Sequence, residues 1–382
     1  MMKMLVTSFP GFGHFLPVVP LAWAARAAGH EVLVVSTGQV LEASERAGLS
    51  WADAAPGGDI ITAVVESMKD AEDKYRDSSN PAGAAEFMSA ISSRMADRTL
   101  EIARAWKPDV IVHTPTESAG VLAASLLSVP AVSHGFGIAS IGKTGMIEMI
   151  YEAFRPACER NGWKGELVGS AANIDTCPPS MREPDRPDAW YTRYIPFNGG
   201  GRLPDEYLAP SSKRRICVTL GTVIPYLSGV GGLGGVVEAV RDLDAEVILA
   251  LGGTDPSALG TLPPNVRTVG WTPLSTLLPT CSAVVHHGGA GTTMNAIVAG
   301  VPQLILPHGA DQHINAAAVR QRGAGLSMLP EEASAETVRH SLQRLLDEPG
   351  FTQASQEVSR ENESQTPPSE IVPRLLALAG RS

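Results

Sequence analysis

Positive charge is scarce in this chain: 30 Lys and Arg stand against 40 Asp and Glu, a formal net charge of −10 over 382 residues. That balance argues against nucleic acid and against stable association with an anionic membrane, both of which are gripped by basic patches. An anionic ligand must then be held by local backbone amides and dipoles instead of a positive field. Cysteine is also sparse. Cys158, Cys177, Cys217 and Cys281 lie far apart, with no CxxC spacing and no paired histidine. Metal-site spacing is therefore absent, and reduced thiols in a cytoplasmic protein are expected in place of a disulfide framework. No apolar run reaches the ~18 residues of a membrane span. The chain opens on a strand pattern followed by Gly-Phe-Gly-His, not on a charged leader, so no secretory signal is expected.

What is present is a repeating alternation of short β-rich apolar runs and longer amphipathic stretches, the pattern of α/β layers around a parallel sheet. The length suits two domains of about 150 residues each. In the first half, residues 4–8, 31–36, 109–113 and 131–134 read as strands. Helices are expected over 16–29, 60–105 (with a break at 78–83), 119–127 and 135–163. The Gly/Pro-rich stretch 196–210 is the best candidate for an interdomain linker. Strands then resume at 215–219, 246–251, 266–269, 283–286 and 303–306. The expected division is an N-terminal domain over 1–197, a linker over 198–214, a second domain over 215–364, and a Pro-started amphipathic helix in 365–382.

The richest segment is His286-His287-Gly288-Gly289-Ala290-Gly291-Thr292-Thr293. It follows a strand and opens a helix, so glycine-freed amides sit at a helix N-terminus, a geometry that binds phosphate oxygens. Thr292 adds a hydroxyl, and His287 a ring N–H or a positive charge. The bland alternative is a tight strand–helix turn with no ligand. No lysine follows the glycines, which excludes a P-loop. A weaker turn, Thr219-Leu220-Gly221-Thr222, offers Thr222 and further amides at the carboxyl edge of the sheet, where open α/β sheets bind ligands. Trp271 is suited to stack on a base or to fill the core. Asp311 and Gln312 suit sugar hydroxyls, or Asp311 caps a helix. In the first half, His14 lies just past a strand end among glycines, where an imidazole suits a general base near neutrality.

Competing signatures fail. Gly11-Phe12-Gly13-His14-Phe15-Leu16 has Leu where a dinucleotide fingerprint needs its third glycine, and the second strand lacks the acidic residue that holds an NAD ribose. Asp242-Leu243-Asp244 resembles a metal-binding DxD. It precedes a strand instead of ending one, so it reads as a solvated helix terminus.

Taken together, the stretches at 11–17, 195–201, 219–222, 270–273, 286–292 and 300–315 resemble family 1 glycosyltransferases of the GT-B fold, in particular actinomycete enzymes that decorate antibiotics. The resemblance implies two Rossmann-like, doubly wound parallel-sheet domains facing a central cleft, with a C-terminal helix crossing back to the N-terminal domain. It implies base stacking by Trp271 and pyrophosphate contacts from Thr222, His287, Gly288, Gly289, Gly291 and Thr292. Asp311 and Gln312 would touch the donor sugar, and His14 would deprotonate the acceptor. Phe12, Phe136 and Met146 are expected at the acceptor.

Two departures stand out. Many relatives carry a carboxylate that orients the base where this chain has Thr114, so Glu117, or a water, is expected to substitute. Relatives using UDP-sugars carry a Glu on the ribose where this chain has Asn295, which favours a dTDP-deoxysugar. The implied activity is inverting, metal-independent transfer of a deoxysugar from a dTDP-sugar to a small hydrophobic aglycone, with no cofactor. Partners are then the aglycone and the nucleotide-sugar, and a homodimer is compatible with the reading. The alternatives are a non-catalytic nucleotide-sugar-binding partner, a GT-B nucleotide-sugar epimerase, or a lipid-sugar transferase.

Overall fold

In the computed structural model, the residues described are 1–67, 81–139, 145–167, 169–182, 186, 188–208, 213–221, 233–252 and 254–380. The chain divides into two compact units. One comprises Met1–Cys177, Glu183–Ile195 and Gln365–Ser382; the other comprises Pro178–Arg182 and Pro196–Ser364.

The first unit is built on seven parallel strands: β1 (Lys3–Thr7), β2 (Glu31–Ser36), β3 (Ser50–Asp53), β4 (Val110–His113), β5 (Ala131–His134), β6 (Ala172–Asp175) and β7 (Ala189–Tyr191). Their order is β3-β2-β1-β4-β5-β6-β7. The central strands are continuous apolar runs because a parallel sheet is covered by helices on both faces. Met4, Leu5 and Val6 of β1 and Val110, Ile111 and Val112 of β4 have no exposed surface. One core joins Leu5 and Ile111 to Ile91 and Met95 of the helix Pro81–Trp106, Leu122 of the helix Ala119–Leu127, and Phe154 of the helix Met146–Arg160.

Gly120 makes one approach in this core possible. A Cβ there would lie 2.0 Å from Thr7 Oγ1 and 2.8 Å from Glu117 Oε2, so only glycine lets the helix after β4 start against β1. The chain's last helix, Pro368–Leu378, packs on the helix Val19–Ala27. Its approach is pinned by Thr366, whose carbonyl accepts from the Arg193 amide at 2.9 Å and the Thr192 hydroxyl at 2.8 Å.

The second unit repeats the plan with six parallel strands: β8 (Arg215–Thr219), β9 (Glu246–Ala250), β10 (Val266–Val269), β11 (Ala283–His286), β12 (Gln303–Ile305) and β13 (Gly325–Ser327), in the order β10-β9-β8-β11-β12-β13. Alternate residues serve its two faces, the period-2 rule of strands. Val218, Leu249 and Val285 pack with Leu304 and Leu342 on one side. Cys217, Ile248 and Val284 pack with Leu277 and Ala296 on the other.

Several expectations are amended. The break expected at 78–83 is not a break from 81 onward, because Pro81 opens one long helix to Trp106; residues 68–80 lie outside those described. Within 135–163 the helix is Met146–Arg160. The start of the stretch expected as linker is bound into the second unit. Asn198 accepts from Trp271 Nε1 through its carbonyl at 3.0 Å and from the Ser275 amide through its side chain at 2.9 Å. A Cβ on Gly201 would meet Pro273 at 3.0 Å. Strands β3, β6, β7 and β13 were not expected. Each is three or four residues long and mixes polar with apolar positions (SWAD, ANID, AWY, GLS), too short for a period to register.

Candidate functional site

In each sheet the strand order reverses direction once, between β1 and β4 in the first and between β8 and β11 in the second. Connections leave in opposite directions at such a point and open a crevice beyond the strands' carboxyl ends, the place where doubly wound folds bind ligands. His14 follows β1 and the His287–Gly289 turn follows β11, one at each of these points.

In the second unit, His287-Gly288-Gly289 joins β11 to the helix Ala290–Ala299. Gly289 is the N-cap residue and offers no side chain to cap the helix; of the first-turn amides, that of Ala290 donates to the Asp311 carboxylate. Gly288 adopts φ 92°, and a Cβ on it would lie 2.8 Å from Ile305 Cγ2; glycine is required both by conformation and by space. The two histidines divide the labour. His286 Nδ1 accepts from the Gly288 amide at 3.0 Å, and its Nε2 lies 2.8 Å from Gln303 Oε1. Its tautomer is thereby set, with Nε2 donating, and the ring pins the turn.

His287 is different. Its ring is buried between two glycines: a Cβ on Gly221 would lie 2.5 Å from its Cε1, and one on Gly289 would lie 2.4 Å from its Nε2. Nδ1 is buried with no hydrogen-bond partner. Burial, reinforced by His286 and His308, pushes this imidazole down to about 3, so without a ligand it presents a neutral ring. An orphaned buried nitrogen is costly unless a ligand completes it.

Asn315 ties this turn to the next crossover. Its amide donates to Gly288 O at 2.8 Å and to Asp311 Oδ2 at 2.9 Å. Asp311 precedes the helix Gln312–Arg322 without making a side-chain cap, so the capping alternative does not apply. Burial raises its carboxyl, opposed first by the Asn315 amide. Gln312 Oε1 accepts from the His308 amide at 2.7 Å. Thr292 and Asn295 are buried in the helix Ala290–Ala299. Asn295 folds back to donate to Gly291 O at 2.7 Å, leaving its Oδ1 unpartnered. Trp271 is half-buried; a Cβ on Gly252 would lie 3.8 Å from its ring. Thr222 lies outside the described residues.

In the first unit the helical turn Phe12–Phe15 follows β1 and carries His14. Its ring centroid is 4.9 Å from that of Phe9 and 4.8 Å from that of Phe136, the latter edge-on. Burial alone pushes this imidazole down to about 4, so it is unprotonated at neutrality and able to accept a proton. The polar neighbour is Thr116, whose Oγ1 lies 3.4 Å from His14 Nδ1.

The expected support from Glu117 is not met. Glu117 is fully buried, and its two carboxylate oxygens accept from the amides of Ala119 and Gly120 at 2.6 to 3.2 Å. It closes the start of the helix Ala119–Leu127, and burial raises its carboxyl despite the Thr7 hydroxyl and these amides. Thr114 is also committed, accepting from the Phe9 amide at 3.1 Å. Phe12 and Met146 are both half-buried. Thr116 was missed: no motif marks it, and it meets His14 because β1 and β4 are neighbours. Among the described residues no three His, Cys, Asp or Glu side chains group so as to hold a metal ion, and no helix is long and apolar enough to cross a membrane.

Comparison with known proteins agrees over nearly the whole chain. Residues 23–221 match the N-terminal domain and residues 235–378 the C-terminal domain of the erythromycin biosynthesis protein CIII-like family. The elloramycin glycosyltransferase ElmGT of Streptomyces olivaceus is 38% identical over 98% of this chain and 97% of its own length. The crystal structure of the glycosyltransferase SnogD from Streptomyces nogalater superposes with a TM-score of 0.84 at 38% identity, covering 99% of both chains. The glycosyltransferase VinC, solved in complex with dTDP, gives a TM-score of 0.84 at 30% identity over the full length of both. The chain therefore belongs to the CIII-like glycosyltransferases of antibiotic biosynthesis, with the GT-B fold. It is an enzyme of sugar transfer.

Proposed function

We propose that the enzyme transfers a deoxysugar from a dTDP-sugar to a hydroxyl of a small hydrophobic natural-product aglycone, with inversion and without a metal ion. The observation that carries the donor side is the unpartnered His287 Nδ1, held between Gly221 and Gly289 beside the N-terminus of the helix Ala290–Ala299. A diphosphate supplies the acceptor oxygens that these donors lack. Dipole, amides and an imidazole N–H suffice in an acidic protein with no lysine at the turn. The dTDP complex of VinC and the absence of an acidic residue at Asn295 support thymidine over uridine. Trp271 stacks on the base, and Asp311 and Gln312 hold the sugar.

On the acceptor side, neutral His14 between Phe9 and Phe136 takes the hydroxyl proton. The acceptor oxygen forms a bond to the anomeric carbon as the bond from that carbon to the diphosphate oxygen breaks. Attack from the face opposite the diphosphate inverts the centre, and the amides, Thr292 and His287 stabilise the charge that develops on the leaving group. The aromatic pair around His14 and the half-buried Phe12 and Met146 suit an apolar aglycone.

The reading is tested by incubating the enzyme and EDTA with axial and equatorial dTDP-deoxysugars and a panel of hydroxyanthraquinone and macrolide aglycones. Product of inverted anomeric configuration in EDTA is expected. Retained configuration, or turnover only with added Mg²⁺ or Mn²⁺, overturns the mechanism.

A further inference from the structure

Neither candidate beside the His14 ring offers it a free polar group: Glu117 is spent on the start of a helix and position 114 is a threonine bonded to Phe9. What meets the ring is Thr116, which has no exposed surface and sets its Oγ1 3.4 Å from His14 Nδ1. Such contacts are often long in an unliganded enzyme and tighten in the complex. Two aromatic rings also pack on it, Phe9 tilted and Phe136 edge-on. Gly11 leaves room beside the Cδ2 edge, where a Cβ would already stand 3.6 Å away.

We propose that Thr116 is a positioning residue for His14, its hydroxyl accepting the Nδ1 proton and so fixing the tautomer whose Nε2 is unprotonated and takes the acceptor's proton. A neutral imidazole carries one proton, and which nitrogen holds it is decided by the hydrogen bond at the other. Phenylalanine rings cannot make that choice. In place of a carboxylate, which would both orient the ring and hold it protonated to higher pH, a hydroxyl orients it without charge. The base then stays unprotonated through mildly acidic conditions, and the imidazolium formed in the transfer keeps its Nδ1 bond while Nε2 returns its proton to solvent.

The proposal rests on His14 being the base, and the test separates the two. The full chain is labelled with ring-¹⁵N histidine, and the His14 signals are assigned by their loss in His14→Ala. At pH 7.5 the wild type is expected as the Nδ1–H tautomer. Thr116→Val removes the hydroxyl at nearly constant shape and is expected to shift the tautomer ratio toward Nε2–H by about two- to tenfold, the worth of one hydrogen bond. Thr116→Ser is expected to keep the wild-type ratio, and Thr116→Ala gives a second deletion should the valine variant misfold.

Turnover of the dTDP-deoxysugar and aglycone pair that gives product in the panel above is followed alongside. In Thr116→Val a lower kcat with unchanged KM for the donor, restored in Thr116→Ser, is expected. An Nε2–H tautomer in the wild type, or a valine variant matching wild type in tautomer, overturns the proposal. Unchanged turnover in His14→Ala overturns the base assignment instead, while the tautomer measurement still reports on Thr116.

Discussion

Replacing Gly289 with alanine isolates the role of the buried His287 ring. Gly289 has φ −59° and ψ 142°, which alanine adopts without strain, so the effect is purely steric. The new methyl lies 2.4 Å from His287 Nε2, and the ring cannot retreat freely because the Gly221 turn closes on it from the other side, 2.5 Å from Cε1 to a Cβ built there. Overpacking of this kind costs about 1–3 kcal/mol of stability. Displacing the ring would also remove the bond proposed between it and the diphosphate. A hydrogen bond to a charged group is worth about 1.5–3 kcal/mol, which weakens dTDP binding by about 10- to 150-fold. Calorimetry on wild type, Gly289→Ala, His287→Ala and the double variant reads this out. Because both single changes act on the same ring, the double variant should bind dTDP no more weakly than His287→Ala alone, and its melting temperature should recover part of what Gly289→Ala loses. Wild-type affinity in Gly289→Ala, or losses that simply add in the double variant, would refute the reasoning.

Further outcomes follow from the same geometry. His14→Ala should lower turnover by about 10²-fold or more with dTDP affinity unchanged, measured by product formation and calorimetry. Acid should destabilise both units. Burial holds His113, His134 and His286 at about 4 and His287 at about 3, so below pH 6.5 the unfolded chain takes up protons that the native one refuses. Each histidine then withdraws about 1.4 kcal/mol per pH unit until its folded value is reached, partly offset by Glu117 and Asp311, whose raised carboxyls favour the native state as pH falls. Urea midpoints should fall from pH 7.5 to 5.5, and a flat profile would show that these rings are not held neutral. Gly120→Ala, whose Cβ would lie 2.0 Å from Thr7 Oγ1, should cost about 3 kcal/mol or more, beyond the usual effect of a point change; an unchanged urea midpoint would contradict the packing described for the first unit.

Much of the fold was legible because the central strands announce themselves: VIVH, AVVH and KMLVT are continuous apolar runs that only a doubly covered sheet explains. The edge strands were not, since a three-residue strand such as Gly325–Ser327 is defined by its neighbour and not by its own pattern. The glycine turn at 287–289 was readable for a similar reason, in that its residues are adjacent in sequence and share one geometry. Thr116 beside His14 was not, because it comes from the end of β4, which only the order of the sheet brings next to β1. Glu117 misled because a carboxylate three residues from the expected position looks like a substitute. Its actual partners, the amides of Ala119 and Gly120, are local to its own turn. The stretch from Asn198 to Gly201 likewise had the composition of a linker, yet glycine there serves close packing against Pro273.

The most direct test of donor binding is calorimetric titration of the full chain with dTDP, UDP and NAD, with and without magnesium, in wild type and in Trp271→Ala. Tight binding of dTDP over UDP, indifferent to magnesium and lost in Trp271→Ala, is the expected result. Absence of dTDP binding, or binding only with magnesium, would contradict it and reduce the glycine-rich corner of the second unit to a turn.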